Sequence, residues 1–372
     1  MEKGNKKTKA CFVSPFTYPL FNPETDLKFG GAEVQMYLVA TELTKDENFD
    51  VNFVVLDLGQ KKKEEYNGVK VHKAYRRGRS FFNLVIAPLK LIATLFKIGP
   101  DVVISRAAGV EVGFSCLYTK IFRGKFIYSI AHDRDVNKSF FQGLRGRIFK
   151  FGFEHADHYI AQSQNQVDIL EKTYNKKFNN IKVIPNSFRL ENKYSGPKES
   201  ILWVGSSIDF KRPEIFVDLA EELPEEKFVM IMTKSKPAPG KWKKIEQRVK
   251  DIENLELIEQ VPFKEIDNYF FKAKVFVNTS TAEGFPNTFL QSMTAKTPIL
   301  SLNVDPDGFI EKNKCGFACG DNEKILKEKL KELLSDKDLH DELAKNGYYY
   351  VRDNHGIKRN IDSWKELFKN LG

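Results

Sequence analysis

A short apolar run, Ala273–Val277, passes through the polar stretch Asn278–Pro286 into a pattern that sets Phe289 and Met293 one turn apart on a helix face. A strand, a tight loop and a helix in that order recur along both halves of the chain, which specifies two doubly wound α/β domains. Within this unit Gly284 lets the backbone approach a ligand and Pro286 suits the first helical turn. The free N–H groups of that turn, with the helix dipole, favour an anion such as a diphosphate. Glu283 stands just outside the helix, while Asn287 and Gln291 are spaced i and i+4, so all three are able to bond hydroxyls in one cleft. The same spacing fits an ordinary capped helix start with an exposed acid.

The first half opens with a strand at Lys9–Ser14, then Gly30-Gly31-Ala32-Glu33 and a helix carrying Val34, Tyr37, Leu38 and Thr41. No G-x-G-x-x-G is present and the loop is too long for a dinucleotide turn, so the glycines read as a phosphate-approaching loop or as a flexible helix start. Further strands are expected at Val51–Leu56, Val69–Lys73 and Asp101–Ser105, the last with Arg106 exposed at its end as an acceptor-side candidate. Phe126–Ala131 is a strand with His132-Asp133-Arg134-Asp135 at its carboxyl end, where open α/β sheets place ligands. His132 is thereby a site candidate, and Asp133 an acceptor-side one. Tyr159–Gln162 and Lys182–Ile184 complete this half, with Ser163 and Gln166 forming a capping pair between them.

The polar run Asn192–Lys198, with Gly196-Pro197, reads as the linker, dividing the chain into 1–194, 195–355 and a closing helix, 356–372. After the strand Ile201–Val204, Ser206, Lys211 and Arg212 lead into a helix, a phosphate-site pattern that ordinary surface charges also produce. Asp305-Pro306-Asp307 lies in a Pro-Gly turn, where aspartates bond their own backbone, so no metal is assigned.

Taken together, GGAE, His132, Lys211 and Glu283 resemble, in the right order and over nearly the whole chain, the family 4-like retaining glycosyltransferases of GT-B fold. The resemblance implies two Rossmann-like domains facing across a cleft, with the closing helix crossing back onto the first. It implies that the second domain holds a nucleoside-diphosphate sugar and the first a saccharide or lipid-linked saccharide acceptor, as in polysaccharide or cell-envelope glycan synthesis. His132, Lys211 and Glu283 then carry catalysis. Gly30, Gly31, Ser206, Arg212, Gly284, Phe285, Pro286, Asn287 and Gln291 bind the donor, with neither metal nor cofactor. Two positions depart from the pattern: Ser206 stands where the family carries an arginine, and Gln291 where it carries the second acid of E-x7-E. A pseudoenzyme that binds nucleotide sugars, or an epimerase on the same fold, therefore stays open.

The net charge of +9 suits a polyanionic partner. Nucleic acid is not expected, for no helix-turn-helix, RNA-recognition or zinc signature appears. The apolar segment Phe81–Ile98 is too interrupted to span a bilayer, but Arg76, Arg77 and Arg79 before it suit an anionic membrane surface. Charged Met1–Lys9 and short Ala10–Val13 do not form a signal peptide, so a cytoplasmic location, on the inner face of the membrane, is expected. Cys11, Cys116, Cys315 and Cys319 have no zinc-like spacing and are expected as free buried thiols.

Overall fold

The computed structural model describes residues 7–25, 27–76, 78, 81–189, 196–235, 239–263 and 265–371. They form two α/β units, 1–187 with 357–372, and 188–356. In the first, β1 Thr8–Val13, β2 Phe49–Val55, β3 Lys63–Tyr66, β4 Val69–Lys73, β5 Val102–Arg106, β6 Lys125–Ser129, β7 His158–Ala161 and β8 Ile181–Val183 join in the order β3-β4-β2-β1-β5-β6-β7-β8. All pairs are parallel except β3 with β4. The second unit is a parallel sheet of β9 Ser200–Ser206, β10 Phe228–Thr233, β11 Leu255–Ile258, β12 Ala273–Asn278, β13 Ile299–Ser301 and β14 Gly316–Ala318, ordered β11-β10-β9-β12-β13-β14.

Each sheet is covered on both faces, which explains why its strands read as continuous apolar runs. In the first unit one face packs the helix Gly31–Leu43, through Met36, Val39 and Leu43, against Phe12, Phe53 and Ile104. The closing helix Ile357–Lys369 joins that same core through Ile361, Trp364, Leu367 and Phe368. Trp364 lies 6.4 Å from Phe12 and Phe368 5.6 Å from Phe49, ring centre to ring centre. The opposite face is covered by the helices Phe81–Ile98, Val110–Phe122, Gly143–Glu154 and Gln164–Tyr174. No helix among the described residues is long and apolar enough to cross a membrane. All four cysteines are buried and free.

The division between units falls at Ser187 and Phe188, before the polar run that suggested it, of which 192–195 lie outside the described residues. The reason is local pairing. Gln35 accepts from the Ser187 N–H and donates to its carbonyl, whereas the Phe188 N–H donates to the His355 carbonyl at 2.8 Å. Lys198, placed in that run, is instead part of the second core. Its ammonium donates to the Ala273 and Ala295 carbonyls and the Thr297 hydroxyl at 2.9, 3.2 and 2.7 Å, and burial pushes its pKa down to about 8.

Trp364 is 3% exposed, so its loss removes a large aromatic from a packed face. Trp364→Ala is expected to lower the unfolding free energy by about 3–5 kcal/mol, read from urea denaturation of the full chain.

Candidate functional site

Among the parallel strands of each sheet the order reverses once, between β1 and β5 and between β9 and β12, and a crevice at the carboxyl ends of such a strand pair is where open α/β sheets bind ligands. At the second reversal the loops following β9 and β12 are stitched together. Trp203 Nε1 donates to Thr279 Oγ1 at 2.9 Å, and that hydroxyl donates to the Lys211 carbonyl at 2.6 Å. Gly205 leaves the room that the Trp203 ring occupies, for a Cβ there would lie 2.6 Å from it. Arg212 Nε donates to the Thr279 carbonyl at 2.9 Å, and Thr281 N–H to the Phe210 carbonyl at 2.8 Å.

This stitching brings Lys211 and Glu283 together. Lys211 Nζ lies 2.7 Å from Glu283 Oε1, with the two side chains 17% and 15% exposed. The same oxygen accepts from Ser280 Oγ at 2.7 Å and Asn278 Nδ2 at 3.0 Å. Burial pushes the Glu283 carboxyl up, but the ammonium and these hydrogen bonds outweigh it and hold the group below the ordinary glutamate range. Three protein donors thus meet on Oε1, and Oε2 carries no protein hydrogen bond among the described residues.

Arg212 is a non-glycine residue in the left-handed region, φ 45°, between a 3-10 turn and the helix Pro213–Glu222. Such a conformation costs on the order of 1–3 kcal/mol, so the surroundings must impose it. Here the imposing contacts are Thr279 and an ion pair with Asp321 at 2.6 Å. Ser206 ends β9 close by in sequence.

The helix after β12 runs Asn287–Thr294, with Pro286 as its N-cap rather than in its first turn, because Pro286 adopts ψ 129°. Glu283 and Gly284 precede it, half-buried. The Phe285 ring, expected at a donor site, points instead into the core, 4.9 Å from the Phe309 ring and 4.6 Å from that of His355. Asn287 opens the helix, and Gln291, 9% exposed, donates from Nε2 to Asp267 Oδ1 at 2.8 Å. Asp305, in the turn considered for metal, accepts from the Ile310 N–H at 2.9 Å.

In the first unit, Gly30 caps the helix Gly31–Leu43, but its N–H donates to Glu33 Oε2 at 2.9 Å. The expectation that this amide faces a phosphate is corrected, since the chain's own carboxylate stands at that position. Gly30 is extended, at φ −126° and ψ −171°, so the backbone does not itself require glycine there. His132 caps the short helix Asp133–Val136, its Nδ1 accepting from the Arg134 N–H at 3.1 Å, which leaves Nε2 to carry the proton of the neutral ring. Asp133 accepts from Gln166 Nε2 at 3.1 Å, and Arg106 ends β5 at the β1/β5 reversal. The residues that sequence reasoning passed over are the second partners: Asn278, Ser280, Asp267, Asp321 and Glu33. For Asn278 and Ser280 the run Asn278-Thr279-Ser280 at the end of a buried strand was the one local signal.

Residues 29–192 match the family model described as Glycosyltransferase Family 4, and residues 187–349 that described as Glycosyl transferases group 1. The chain is 26% identical over 321 residues to an uncharacterized glycosyltransferase of Methanocaldococcus jannaschii, covering 80% of this chain and 84% of that one. It is 23% identical over 240 residues to the O-antigen chain mannosyltransferase RfbU of Salmonella typhimurium, covering 62% and 65%. Among solved structures, HepE of Anabaena in complex with UDP and glucose superposes with a TM-score of 0.74 at 13% identity, covering 98% of this chain and 100% of that one. Sucrose-phosphate synthase of Thermosynechococcus elongatus does so at 0.77 and 15% identity, covering 98% and 99%. These structural likenesses establish the fold.

The Lys211–Glu283 pair makes a pH-dependent prediction. Because the folded carboxyl lies below its unfolded value, its stabilisation is present above the unfolded pKa and is lost as pH falls through the folded one. Lys211→Met should cost about 1–3 kcal/mol at pH 7, and this deficit should shrink toward zero in urea melts taken below the ordinary glutamate pKa of about 4.3. A deficit independent of pH would assign the loss to packing.

Proposed function

From the premise that the chain belongs to the group 1 glycosyltransferases of GT-B fold, we propose a sugar transfer with retained anomeric configuration and without a metal. The donor is a nucleoside-diphosphate sugar. The acceptor is a saccharide or lipid-linked saccharide, as in polysaccharide or cell-envelope glycan synthesis. The observation that carries this reading is the Lys211–Glu283 pair at the β9/β12 reversal. A partly buried cation and an acid with one open oxygen supply what a nucleotide sugar presents, a diphosphate and hydroxyls. HepE, a structural neighbour, is solved with UDP and glucose.

The chemistry asks for little covalent help, because the anomeric carbon becomes oxocarbenium-like as the diphosphate leaves. Lys211 and Arg212 stabilise the departing anion, Lys211 turning from Glu283 toward phosphate as negative charge accumulates there. Glu283, anchored through Oε1, orients a sugar hydroxyl with Oε2, and the His132 Nε2–H donates to the sugar. Gln291 and Asn287 meet the ribose. No metal is part of this reading, in which Lys211 and Arg212 are the cations assigned to the leaving group.

Exposed apolar and basic side chains on helices of the first unit support attachment to an anionic membrane. Leu89 and Phe96, from the helix Phe81–Ile98, are 61% and 62% exposed, and Ile121 and Leu144, from neighbouring helices, 59% and 71%. Phe96 lies against Phe122 at 5.3 Å, and exposed Lys90, Lys97, Arg123, Arg145 and Arg147 surround these side chains in sequence. Arg76, the first of the three arginines expected to meet headgroups, reaches Asp57 at 3.4 Å, while Arg77 and Arg79 lie outside the described residues.

Four measurements test the reading. The donor is found by thermal stabilisation with a panel of nucleoside diphosphates, since a ligand at a hundred times its dissociation constant adds about 2.7 kcal/mol. With that donor, transfer should persist in chelator and the product keep the donor's anomeric configuration by NMR. Lys211→Ala should lower single-turnover transfer about 10²–10³-fold with little change in donor affinity. Sugar conversion without acceptor would favour the epimerase, and an inverted product or chelator-sensitive transfer would overturn the mechanism. For the membrane face, Phe96→Glu with Leu144→Glu should weaken sedimentation with anionic vesicles by about 1.5–3 kcal/mol per buried side chain. Wild type that stays in the supernatant at low salt would remove the membrane from the reading.

A further inference from the structure

Arg106 ends β5 at the order reversal of the first sheet. Its guanidinium is aimed by two neutral groups: Nη1 donates to Ser129 Oγ at 3.2 Å and Nη2 to Asn186 Oδ1 at 2.7 Å. Nε is shut off from solvent without a hydrogen-bond partner, while the residue as a whole stays partly exposed. No carboxylate lies within ion-pair distance of it among the described residues.

The ionisable groups that face it do not neutralise it. Asp135 takes Tyr128 Oη, Ala131 N–H and His132 N–H on its Oδ2, at 3.0, 2.8 and 3.2 Å, and Glu33 takes the Gly30 N–H. Both lie near enough to favour the charged guanidinium without reaching it, and burial leaves the group at about 10, so it is cationic at neutral pH. A cation largely removed from water whose hydrogen bonds go only to neutral groups is costly, and an incoming oxyanion relieves that cost with charge-assisted bonds.

We propose that Arg106 is an oxyanion subsite of the first unit, and that the acceptor carries a carboxylate or phosphate group seated on it. This rests on the reading of the first unit as the acceptor side. It narrows the acceptor from any saccharide to an acidic one, either a uronic acid or a phosphorylated sugar. Ser129 and Asn186 are the positioning residues, each leaving donors of the guanidinium for the ligand.

The test titrates the full chain with glucose, glucose 6-phosphate and glucuronate, following the ¹⁵N signal of Arg106 Nε and the affinity. At least one charged sugar should shift the Nε signal and bind about tenfold tighter than glucose, roughly one charged hydrogen bond. The preferred one separates phosphate from carboxylate. Arg106→Gln should abolish the preference, Arg106→Lys should keep part of it, and UDP binding should be unchanged in both. An unmoved Nε signal with both charged sugars, or a preference that survives Arg106→Gln, overturns the proposal. So does a loss of UDP affinity in its place, which would move the subsite to the donor. Should Arg106→Gln not fold, the wild-type Nε signal decides. Failure of every nucleoside diphosphate to bind wild type counts instead against the glycosyltransferase site of the second unit.

Discussion

A parallel sheet buried on both faces leaves one edge of each strand pair open to chemistry, the carboxyl ends where the order of connection reverses. The rest of this protein's site depends on that constraint. Between β9 and β12 the two outgoing loops diverge to opposite faces, and side chains at their start are held apart from both helix layers. Lys211 and Glu283 stand on those loops, each five residues past the end of its strand and 72 positions apart in sequence, and become neighbours because β9 and β12 are hydrogen-bonded neighbours. Trp203, Thr279 and Arg212 then fix the distance between the loops.

Charge balance follows from this placement. Glu283 is poorly exposed, so its ionised form is maintained only by a cation and donors within contact. Lys211, Ser280 and Asn278 supply them on a single oxygen. For the proposed transfer an ammonium on a flexible stem suits Lys211's position better than a guanidinium would, because it can turn from the acid toward a phosphate without losing a fixed bidentate geometry. Beside it Arg212, a left-handed residue, pairs with Asp321 and is tied through Nε to the Thr279 carbonyl.

Much of the fold was legible because buried parallel strands are continuous apolar runs and the loops carry glycine, proline and small polar residues. What escaped was of two kinds. The short β14 and the antiparallel β3 were both missed, β3 because Lys63-Glu64-Glu65-Tyr66 is a charged edge without an apolar face, although Asn67-Gly68, both at positive φ, is the turn signal that announces such a hairpin. The other kind was pairing. Candidate residues at 211 and 283 were readable as phosphate and sugar ligands, but their mutual contact depends on strand order, which spacing does not encode. Likewise the Gly30 amide was readable as a free donor, and only three-dimensional proximity shows Glu33 occupying it.

Gln291 shows how a departure from a motif is resolved by a contact that no motif contains. An acid at this position would bring a second carboxylate within 3 Å of Asp267, where the amide now donates at 2.8 Å. Two such groups sharing a half-buried site cannot both ionise freely, and one would be driven toward its neutral form. The amide removes the conflict while the site keeps one carboxylate, carried by the helix Ile266–Lys272 in place of the helix Asn287–Thr294. Glutamine at 291 and aspartate at 267 are therefore one feature in charge, and an acid substituted at 291 would set two carboxylates in contact where one now accepts from an amide.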